Sequence, residues 1–442
     1  GTRLLRANIL ILPLKRTENT AMYRYIAMIH RLNTKRTAIY TGSFKFETPG
    51  ERVITAEFDG RKTRMFVNVI GDIKSLLDKR AHFIVDNQPY CRNGSHIDGA
   101  YLIYDNETKS MYCSSEGQFW LYDHNSARER TGMGVLVCKA LREKYDEKLM
   151  ISLKKHRQFI EREYFDENTG FVFNEICRNH EWERIYNFPW LAVYYLEWYK
   201  LTGEKKCIEN AAKILLKFFE IASDGAQCIE AAEICKCLEK ENLTDLSEKV
   251  KTAFIKHVDN CLDTDSLYGG ECTWCNEFPC NALSYRSQAY ILTHEEKYLT
   301  LAKESLAMVK SCFAGQPDFH LNCITVRYWD RFWFGKHPSY GDVFPHYWST
   351  LVGWAMSWYG KAVGSTDCAE IINANLTGNL CVYKENGSAS NNYLYPYKIT
   401  FYSSDPEYYD KFIMPGVTYG KNYDAWANDQ DWALYYASRF IK

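Results

Sequence analysis

Two kinds of helical segment alternate along most of this chain. Amphipathic, charged segments are predicted over residues 146–164, 204–223, 245–262, 295–313 and 365–374. Segments that are apolar on nearly every side are predicted over residues 126–141, 188–201, 226–238, 279–293, 343–359 and 429–440. Amphipathic helices cover a surface, whereas helices that are apolar all round must be buried. The alternation therefore predicts a mainly α fold, an (α/α)6 toroid of helical hairpins in which outer helices enclose an inner ring.

The N-terminal part of the chain has a different pattern. Residues 8–11, 37–48 and 52–70 are rich in Val, Ile, Thr, Tyr and Phe, with a Pro-Gly and an Asp-Gly break, which is typical of strands. Helical periodicity begins in residues 72–88. We therefore predict a short β-rich region, of the kind that forms part of a β-sandwich, over residues 1–72, and a helical domain over 73–442.

One further β excursion is predicted near the end of the helical domain. Two apolar stretches, residues 380–384 and 393–401, flank the turn signal Asn386-Gly387. Such runs on either side of an Asn-Gly pair indicate strands.

The charge balance argues against two classes of partner. The chain has 54 Lys and Arg against 55 Asp and Glu, a formal net charge of −1. Binding to nucleic acid or to an anionic membrane needs a clear basic excess. The apolar run at residues 9–14 is also too short to span a bilayer. We therefore predict neither a nucleic-acid nor a membrane partner.

The 16 cysteines are scattered along a chain that is long for a disulfide-stabilised scaffold. Reduced thiols, which pack as small apolar groups, are the favoured interpretation. The pair Cys272 and Cys275 is a weak zinc signal because no histidine pair stands near it at finger spacing. We predict no metal and no cofactor.

The loops that lead into the apolar helices contain the residues best suited to chemistry. Five of the six entrances combine carboxylates with aromatic or amide groups, and helix capping explains only the Asp and Asn residues among them. The predicted substrate-binding residues are His124, Asn125, Arg128, Arg130, Glu183, Trp190, Trp274, Tyr340, Trp348 and Trp426. The predicted catalytic residues are Glu129, Glu277, Asp342 and His346.

The segment 123–134 is the densest of these entrances. A capping box with solvated charges is the simpler interpretation of Glu129 and its neighbours. However, the residues that follow are of the buried type, and charges at the start of a buried helix must pair or bind something. Arg128 and Arg130 do not share a helix face, so one is expected to face the pocket, where a guanidinium suits a sugar carboxylate.

Hydrolysis of a glycosidic bond needs two carboxyl groups, and several pairs are available. Glu277 stands directly before an apolar helix, with Glu271 as its local rival. Asp342 is either an N-cap or a catalytic acid. His346 is either a core histidine with satisfied nitrogens or a general base.

These motifs resemble a known superfamily. The stretch 82–88, Asp98-Gly99, Tyr104-Asp105, the segment 123–134 and the ending 423–432 are similar to the six-hairpin glycosidases, most of all to bacterial β-glucuronidases of glycoside hydrolase family 154. The resemblance covers roughly residues 72–442. It implies an (α/α)6 catalytic domain and an exo-acting hydrolase that removes a uronic acid from a glycan. It also implies a bacterial protein, cytoplasmic or periplasmic, for which reduced thiols favour the cytoplasm.

Two other functions stay open. Toroids of this kind also perform β-elimination at uronates, for which Tyr340 or His346 would be the base and Asn125 or His124 would neutralise the carboxylate. A non-catalytic glycan-binding protein is the third alternative, although plain binding does not need so many acids. The expected partner is in each case an oligosaccharide or glycan. The incomplete β-region leaves open whether the chain forms a homo-oligomer.

Overall fold

The structure is a computed structural model of the 442-residue chain. It describes residues 6–13, 21–30, 37–46, 48–58, 61–112, 126–180, 184–222, 228–261, 277–315, 319–325, 343–394 and 423–441.

Five strands form the first described part of the chain. They are β1 (Arg6–Pro13), β2 (Ala21–His30), β3 (Thr37–Phe46), β4 (Gly50–Phe58) and β5 (Arg61–Val69). The first three form an antiparallel sheet in the order β1-β2-β3, and the last two form a separate hairpin. The strands predicted over 8–11, 37–48 and 52–70 are confirmed, and the last one is divided into β4 and β5, with residues 59–60 between them outside the described part. Strand β2 was not predicted, because its polar and apolar residues do not alternate cleanly.

Twelve α-helices follow within the described ranges. They are α1 (Ile73–Asn87), α2 (Ser126–Glu143), α3 (Glu147–Glu163), α4 (Asn187–Thr202), α5 (Lys205–Ile221), α6 (Ala231–Lys240), α7 (Thr244–Cys261), α8 (Glu277–Thr293), α9 (Glu296–Ser311), α10 (Leu351–Val363), α11 (Ala369–Asn379) and α12 (Asp431–Phe440). Short strands connect them: β6 (Tyr104–Asp105), β7 (Ser110–Met111), β8 (Phe165–Asp166), β9 (Phe171–Val172), β10 (Val343–His346), β11 (Asn392–Leu394) and β12 (Trp426–Ala427).

The even-numbered helices form an inner ring and the odd-numbered helices surround it. Helix α2 packs against α4, α8 against α10, and α12 against α2, which closes the ring. In α4 every residue from Asn187 to Tyr199 is buried, whereas α5 buries only one face. A helix that is buried all round, such as α4, must be surrounded by other elements, whereas a helix with one buried face, such as α5, can lie at the surface. The predicted mainly α fold, an (α/α)6 toroid, is confirmed.

The entry to α10 differs from the prediction. A helix over 343–359 was expected, but residues Val343–His346 form β10, Tyr347–Thr350 form a 3-10 turn, and α10 begins at Leu351. Pro345 accounts for part of the difference, because the residue before a proline is pushed out of the α region. Strand β10 pairs with β11, with His346 opposite Asn392.

The predicted strand over 380–384 is also wrong. Residues Leu380–Val382 form a 3-10 turn that continues directly from α11. Such turns are common at helix C-termini, and the three apolar side chains are buried there as they would be in a strand. The second predicted strand, over 393–401, begins one residue early at Asn392, and its part beyond Leu394 lies outside the described residues.

None of the described helices has both the length and the apolar content needed to cross a membrane. No disulfide joins the cysteines whose side chains the structure describes. The division into two domains at residue 72 stays a prediction, as does the cellular location.

Candidate functional site

The inner helices begin at one end of the toroid, which we call the entrance face. Three aromatic rings mark it: Trp190 in the first turn of α4, Tyr347 just before α10, and Trp432 at the start of α12. The rings of Trp190 and Trp432 lie 4.1 Å apart, and Tyr347 meets Trp190 edge to face at 5.9 Å. These contacts bring three separate hairpins together at their N-terminal ends.

Two glycines in α2 allow this close packing. A Cβ atom on Gly132 would lie 2.6 Å from Nε1 of Trp432, and one on Gly134 would lie 2.6 Å from the ring of Tyr194. Contacts this short are not tolerated in proteins, so only glycine fits at either position. The Gly-Met-Gly sequence after the charged segment 123–130 is therefore a packing feature of the ring closure.

His346 stands at the entrance face at the end of β10. It is buried, and its Nδ1 accepts a hydrogen bond from the backbone N–H of Trp348 at 3.3 Å. Because Nδ1 is the acceptor, the favoured neutral tautomer has its proton on Nε2. In this geometry the ring proton is on the nitrogen that faces Asp429. The two predicted roles of His346, a core histidine or a general base, stay predictions.

The Nε2 atom of His346 faces a buried carboxylate. It lies 3.5 Å from Oδ2 of Asp429, two residues before α12. The other oxygen of Asp429 accepts a hydrogen bond from Nδ2 of Asn391 at 2.8 Å, and Oδ1 of Asn391 accepts one from Asn392 at 2.9 Å. These four residues, all at most 2% exposed, are called the His346 cluster below.

A second carboxylate two residues later has a different environment. Asp431 forms a bidentate ion pair with Arg80 at 2.7 and 3.0 Å, and both side chains are fully buried. Arg80 also donates to Gln88. A buried charge that is matched in this way is a structural element, so we assign Asp431 to the closure of the ring.

The hairpin β4–β5 reaches the helical part through a further polar cluster that was not predicted. Oε1 of Glu51 lies 3.5 Å from Nε2 of His320, and the hydroxyl of Tyr423 donates to the same oxygen. The ring of His320 stacks on Tyr393 at 4.1 Å. Burial, together with the nearby Cys381 and Glu51, holds the pKa of Tyr423 well above its usual range, so its hydroxyl stays protonated.

The opposite end of the inner ring holds a network of buried charges. Glu197 accepts hydrogen bonds from Arg142 at 2.6 Å and from Tyr435 at 3.0 Å, and Lys200 lies 3.3 Å away. Burial alone would raise the pKa of Glu197, but the Lys200 and Arg142 cations lower it to about 2. Nearby, Glu230 pairs with Arg439 at 2.9 Å. This network joins the later turns of α2, α4 and α12 to the residue that directly precedes α6.

The predicted site residues fall into three groups. Glu129, Arg128 and Arg130 lie in the first turns of α2, and Glu277 is the first residue of α8, so the backbone of all four belongs to inner-helix starts. Their side chains lie outside the described part of the structure. The predicted residues whose positions lie wholly outside it are His124, Asn125, Glu183, Trp274, Tyr340 and Asp342.

Three of the four predicted tryptophans are described, and they have different environments. Trp426 is half-buried in β12 and packs on Tyr112, with the rings 4.5 Å apart. Trp348 is also half-buried and its indole N–H donates to the hydroxyl of Tyr347. Trp190 has no exposed surface. We therefore assign Trp190 to the packing beneath the entrance face, where it cannot contact a substrate directly.

Sequence reasoning missed Asn391 and Asn392. They follow a Ser-Ala-Ser run that looks like an ordinary loop, and only the pairing of β10 with β11 brings them to His346. Asp429 stands at the start of a predicted inner helix, where helix capping was a sufficient explanation for an aspartate, so it was not selected as a site residue. The detectable signal was the unusual density of amides and acids at residues 428–431.

Comparison with known proteins places this fold among glycan-acting enzymes. No known family matches the sequence, and no protein of curated function does. Among solved structures, a polysaccharide lyase is 27% identical, with a TM-score of 0.83 over 98% of this chain. The chain spans 64% of the length of that lyase.

Two glycoside hydrolases of family 76 show the same fold at lower identity. One, from a bovine Bacteroides thetaiotaomicron strain, is 10% identical with a TM-score of 0.51, over 99% of this chain and 98% of its own. The other, a mannosidase from Bacteroides thetaiotaomicron, is 13% identical with a TM-score of 0.50, over 83% of this chain and 97% of its own. The structures that this chain resembles are thus toroidal enzymes that process glycans. The closer resemblance to family 154 β-glucuronidases stays a prediction.

Proposed function

We propose that this protein is a polysaccharide lyase that cleaves a glycan next to a uronic acid by β-elimination. The main support is the 27% identity to a polysaccharide lyase across 98% of the chain. The two hydrolases of the same fold are too distant in sequence to favour their own reaction. The His346 cluster at the entrance face supplies polar groups of the kind that this reaction needs.

The chemistry of elimination defines what such a site must contain. A base removes the proton on C5 of the uronate, and the electrons of that C–H bond form the C4=C5 double bond. The bond from C4 to the glycosidic oxygen breaks, and this oxygen leaves with the electron pair and takes up a proton. A donor near the carboxylate or the leaving oxygen therefore assists the reaction.

His346 fits the donor role. Its Nδ1 accepts the Trp348 N–H, so its one ring proton is on Nε2. The 3.5 Å from Nε2 to Oδ2 of Asp429 is too long for a strong hydrogen bond, so a substrate oxygen could share this proton with Asp429. Asp429 keeps the ring oriented, and Asn391 fixes the carboxylate of Asp429. We assign the base to Tyr340, which precedes β10 by three positions in the sequence and is one of the two bases predicted for a lyase.

The second candidate is the glycoside hydrolase predicted from the sequence, an exo-acting β-glucuronidase. The positions of Glu129 and Glu277 at the starts of two inner helices favour it, since hydrolysis needs a pair of carboxyls. Its test is to replace Glu129, Glu277 and Asp342 singly by their amides. A hydrolase loses turnover in at least one of the three, with an unchanged circular dichroism spectrum, whereas unchanged turnover in all three contradicts this site.

One experiment distinguishes the two reactions. The protein is incubated with uronate-containing polysaccharides, uronate-containing oligosaccharides and a chromogenic β-glucuronide, and both ultraviolet absorbance and released product are followed. A lyase creates an unsaturated uronate that absorbs in the ultraviolet, and its product is one water lighter than that of hydrolysis. New reducing ends without new absorbance would reject the lyase in favour of the hydrolase. Binding without any product would indicate the non-catalytic alternative.

A further inference from the structure

A cluster of three different metal-ligating side chains lies in loops next to the end of α3. His96 belongs to the loop after α1, Glu163 is the last residue of α3, and Cys177 belongs to the loop that leads to α4. Their ligand atoms all lie within 4.8 Å of one another. Within the described part of the chain, this is the one group of three or more such residues.

The spacing matches a tetrahedral zinc ion. Zinc lies about 2.0–2.1 Å from nitrogen or oxygen and about 2.3 Å from sulfur, so neighbouring ligand atoms stand about 3.3–3.6 Å apart. Nδ1 of His96 lies 3.3 Å from Oε2 of Glu163. The sulfur of Cys177 lies within 4.8 Å of both atoms.

The carboxylate of Glu163 is oriented by Arg162. Arg162 donates to Oε1 of Glu163 at 2.6 Å, and the same guanidinium donates to the backbone oxygen of His96 at 2.8 Å. Oε2 accepts the backbone N–H of Cys177 at 2.7 Å and faces His96. Such outer contacts orient the ligands of metal sites, and they leave Oε2 directed at the centre of the cluster.

Cys177 lies in a turn whose backbone conformation is unfavourable for residues other than glycine and asparagine. Cys177 and Arg178 both have positive φ, 60° and 56°, and the bridge between Glu175 and Asn179 closes the turn around them. Two adjacent residues with positive φ are usually Asn and Gly. Arg178 stabilises the turn by donating to the backbone oxygen of Arg162 at 3.1 Å.

We infer that His96, Glu163 and Cys177 form a zinc site that ties the loop after α1 to the loop that enters α4. Nitrogen, oxygen and sulfur together suit zinc, whereas calcium and magnesium prefer oxygen alone. Glu163 is buried, but the side chain of His96 is 65% exposed and Cys177 is exposed, so an ion can enter from solvent. No sequence motif marks the site, because its ligands are 67 and 14 positions apart.

The test uses the full chain, stripped of metal with a chelator and titrated with cobalt(II), which reports thiolate ligation through a near-ultraviolet charge-transfer band. We expect the band in the wild type, its loss in Cys177→Ser, and an affinity at least ten-fold lower in His96→Ala. Zinc binding, followed by competition with a chromogenic chelator, should fall by one equivalent per chain in Cys177→Ser. Zinc should also raise the melting temperature of the wild type but not of Cys177→Ser.

The matched control is Cys91→Ser, which removes another exposed cysteine outside the cluster and should keep both the band and the zinc equivalent. Both ligand variants change exposed side chains, so they are expected to fold. A wild-type protein without the band, or a Cys177→Ser variant that retains it in full, would overturn the zinc site. Neither readout depends on the glycan reaction.

Discussion

The Nε2 atom of His346 lies 3.5 Å from Oδ2 of Asp429, across the boundary between the last two helical hairpins. The two residues are 83 positions apart in the sequence, and each stands just before an inner helix. The pair therefore exists only when both hairpins are docked and β10 is paired with β11.

This geometry predicts opposite outcomes for two neighbouring aspartates. Asp429→Asn keeps the shape of the side chain but removes the negative charge that faces His346, so we expect the rate of product formation to fall at least about 100-fold with little change in melting temperature. Asp431→Asn leaves the buried Arg80 without its counter-charge, so we expect a loss of about 3–5 kcal/mol in unfolding free energy. Initial rates and thermal unfolding measured on both variants check this. An active Asp429→Asn protein would remove the His346 cluster from the mechanism.

Substitution of Trp190 should mainly affect stability, whereas substitution of Trp426 should mainly affect substrate binding. Trp190 is fully buried, so Trp190→Ala should lower the unfolding free energy by about 3–5 kcal/mol. Trp426 is half-buried, and its ring is available for stacking on a sugar. We expect Trp426→Ala mainly to raise KM for a glycan. Equal effects of both changes on stability, with KM unaffected, would contradict this assignment.

Glu197 makes the stability of the ring depend on acid pH. Its pKa in the folded protein is about 2, lowered from 4.5, so its contribution is complete above pH 4.5 and is lost as the pH falls towards 2. Glu197→Gln should cost about 3 kcal/mol near neutral pH. The gap in melting temperature between the variant and the wild type should shrink over that pH range.

A suitable control for Glu197→Gln is Glu161→Gln. It breaks the ion pair with Arg157, in which the Glu161 side chain is 40% exposed. Exposed pairs contribute about 1 kcal/mol or less. If both variants destabilise equally, burial is not the source of the effect.

Gly132→Ala tests the closure of the ring. The added methyl group would collide with Trp432, and a forced contact in a packed core costs about 1–3 kcal/mol. Gly315→Ala is the matched control, because nothing lies within 4 Å of a Cβ atom there. We expect a lower melting temperature for Gly132→Ala and almost no change for Gly315→Ala.

The toroid could be predicted from the sequence because the spacing of apolar residues along a helix indicates how much of its surface is buried. The even distribution of apolar residues around α4 requires a buried helix, and the one-sided pattern of α5 requires an outer one. Strand β10 could not be predicted in this way, because four residues give no period, and Pro345 was the one local signal against a helix.

The candidate site was harder to predict than the fold. His346 was identified from its position in the first part of an apolar segment, but Asn391, another member of the His346 cluster, is 45 positions away in a stretch with no periodic pattern. The role of His346 also depends on a single backbone hydrogen bond, that from Trp348. Residue type alone cannot distinguish the tautomer that donates from the one that accepts.

Closure of the ring by α2 and α12 has a consequence for biosynthesis. Arg80 meets Asp431 across 351 positions, and ribosomes add about 5–20 residues per second. The guanidinium of Arg80 therefore waits roughly 20–70 s for its counter-ion, and the apolar flank of α2, which is synthesised later, stays open for most of that interval. A nascent chain stalled before residue 431 would expose this flank and be a strong client for chaperones.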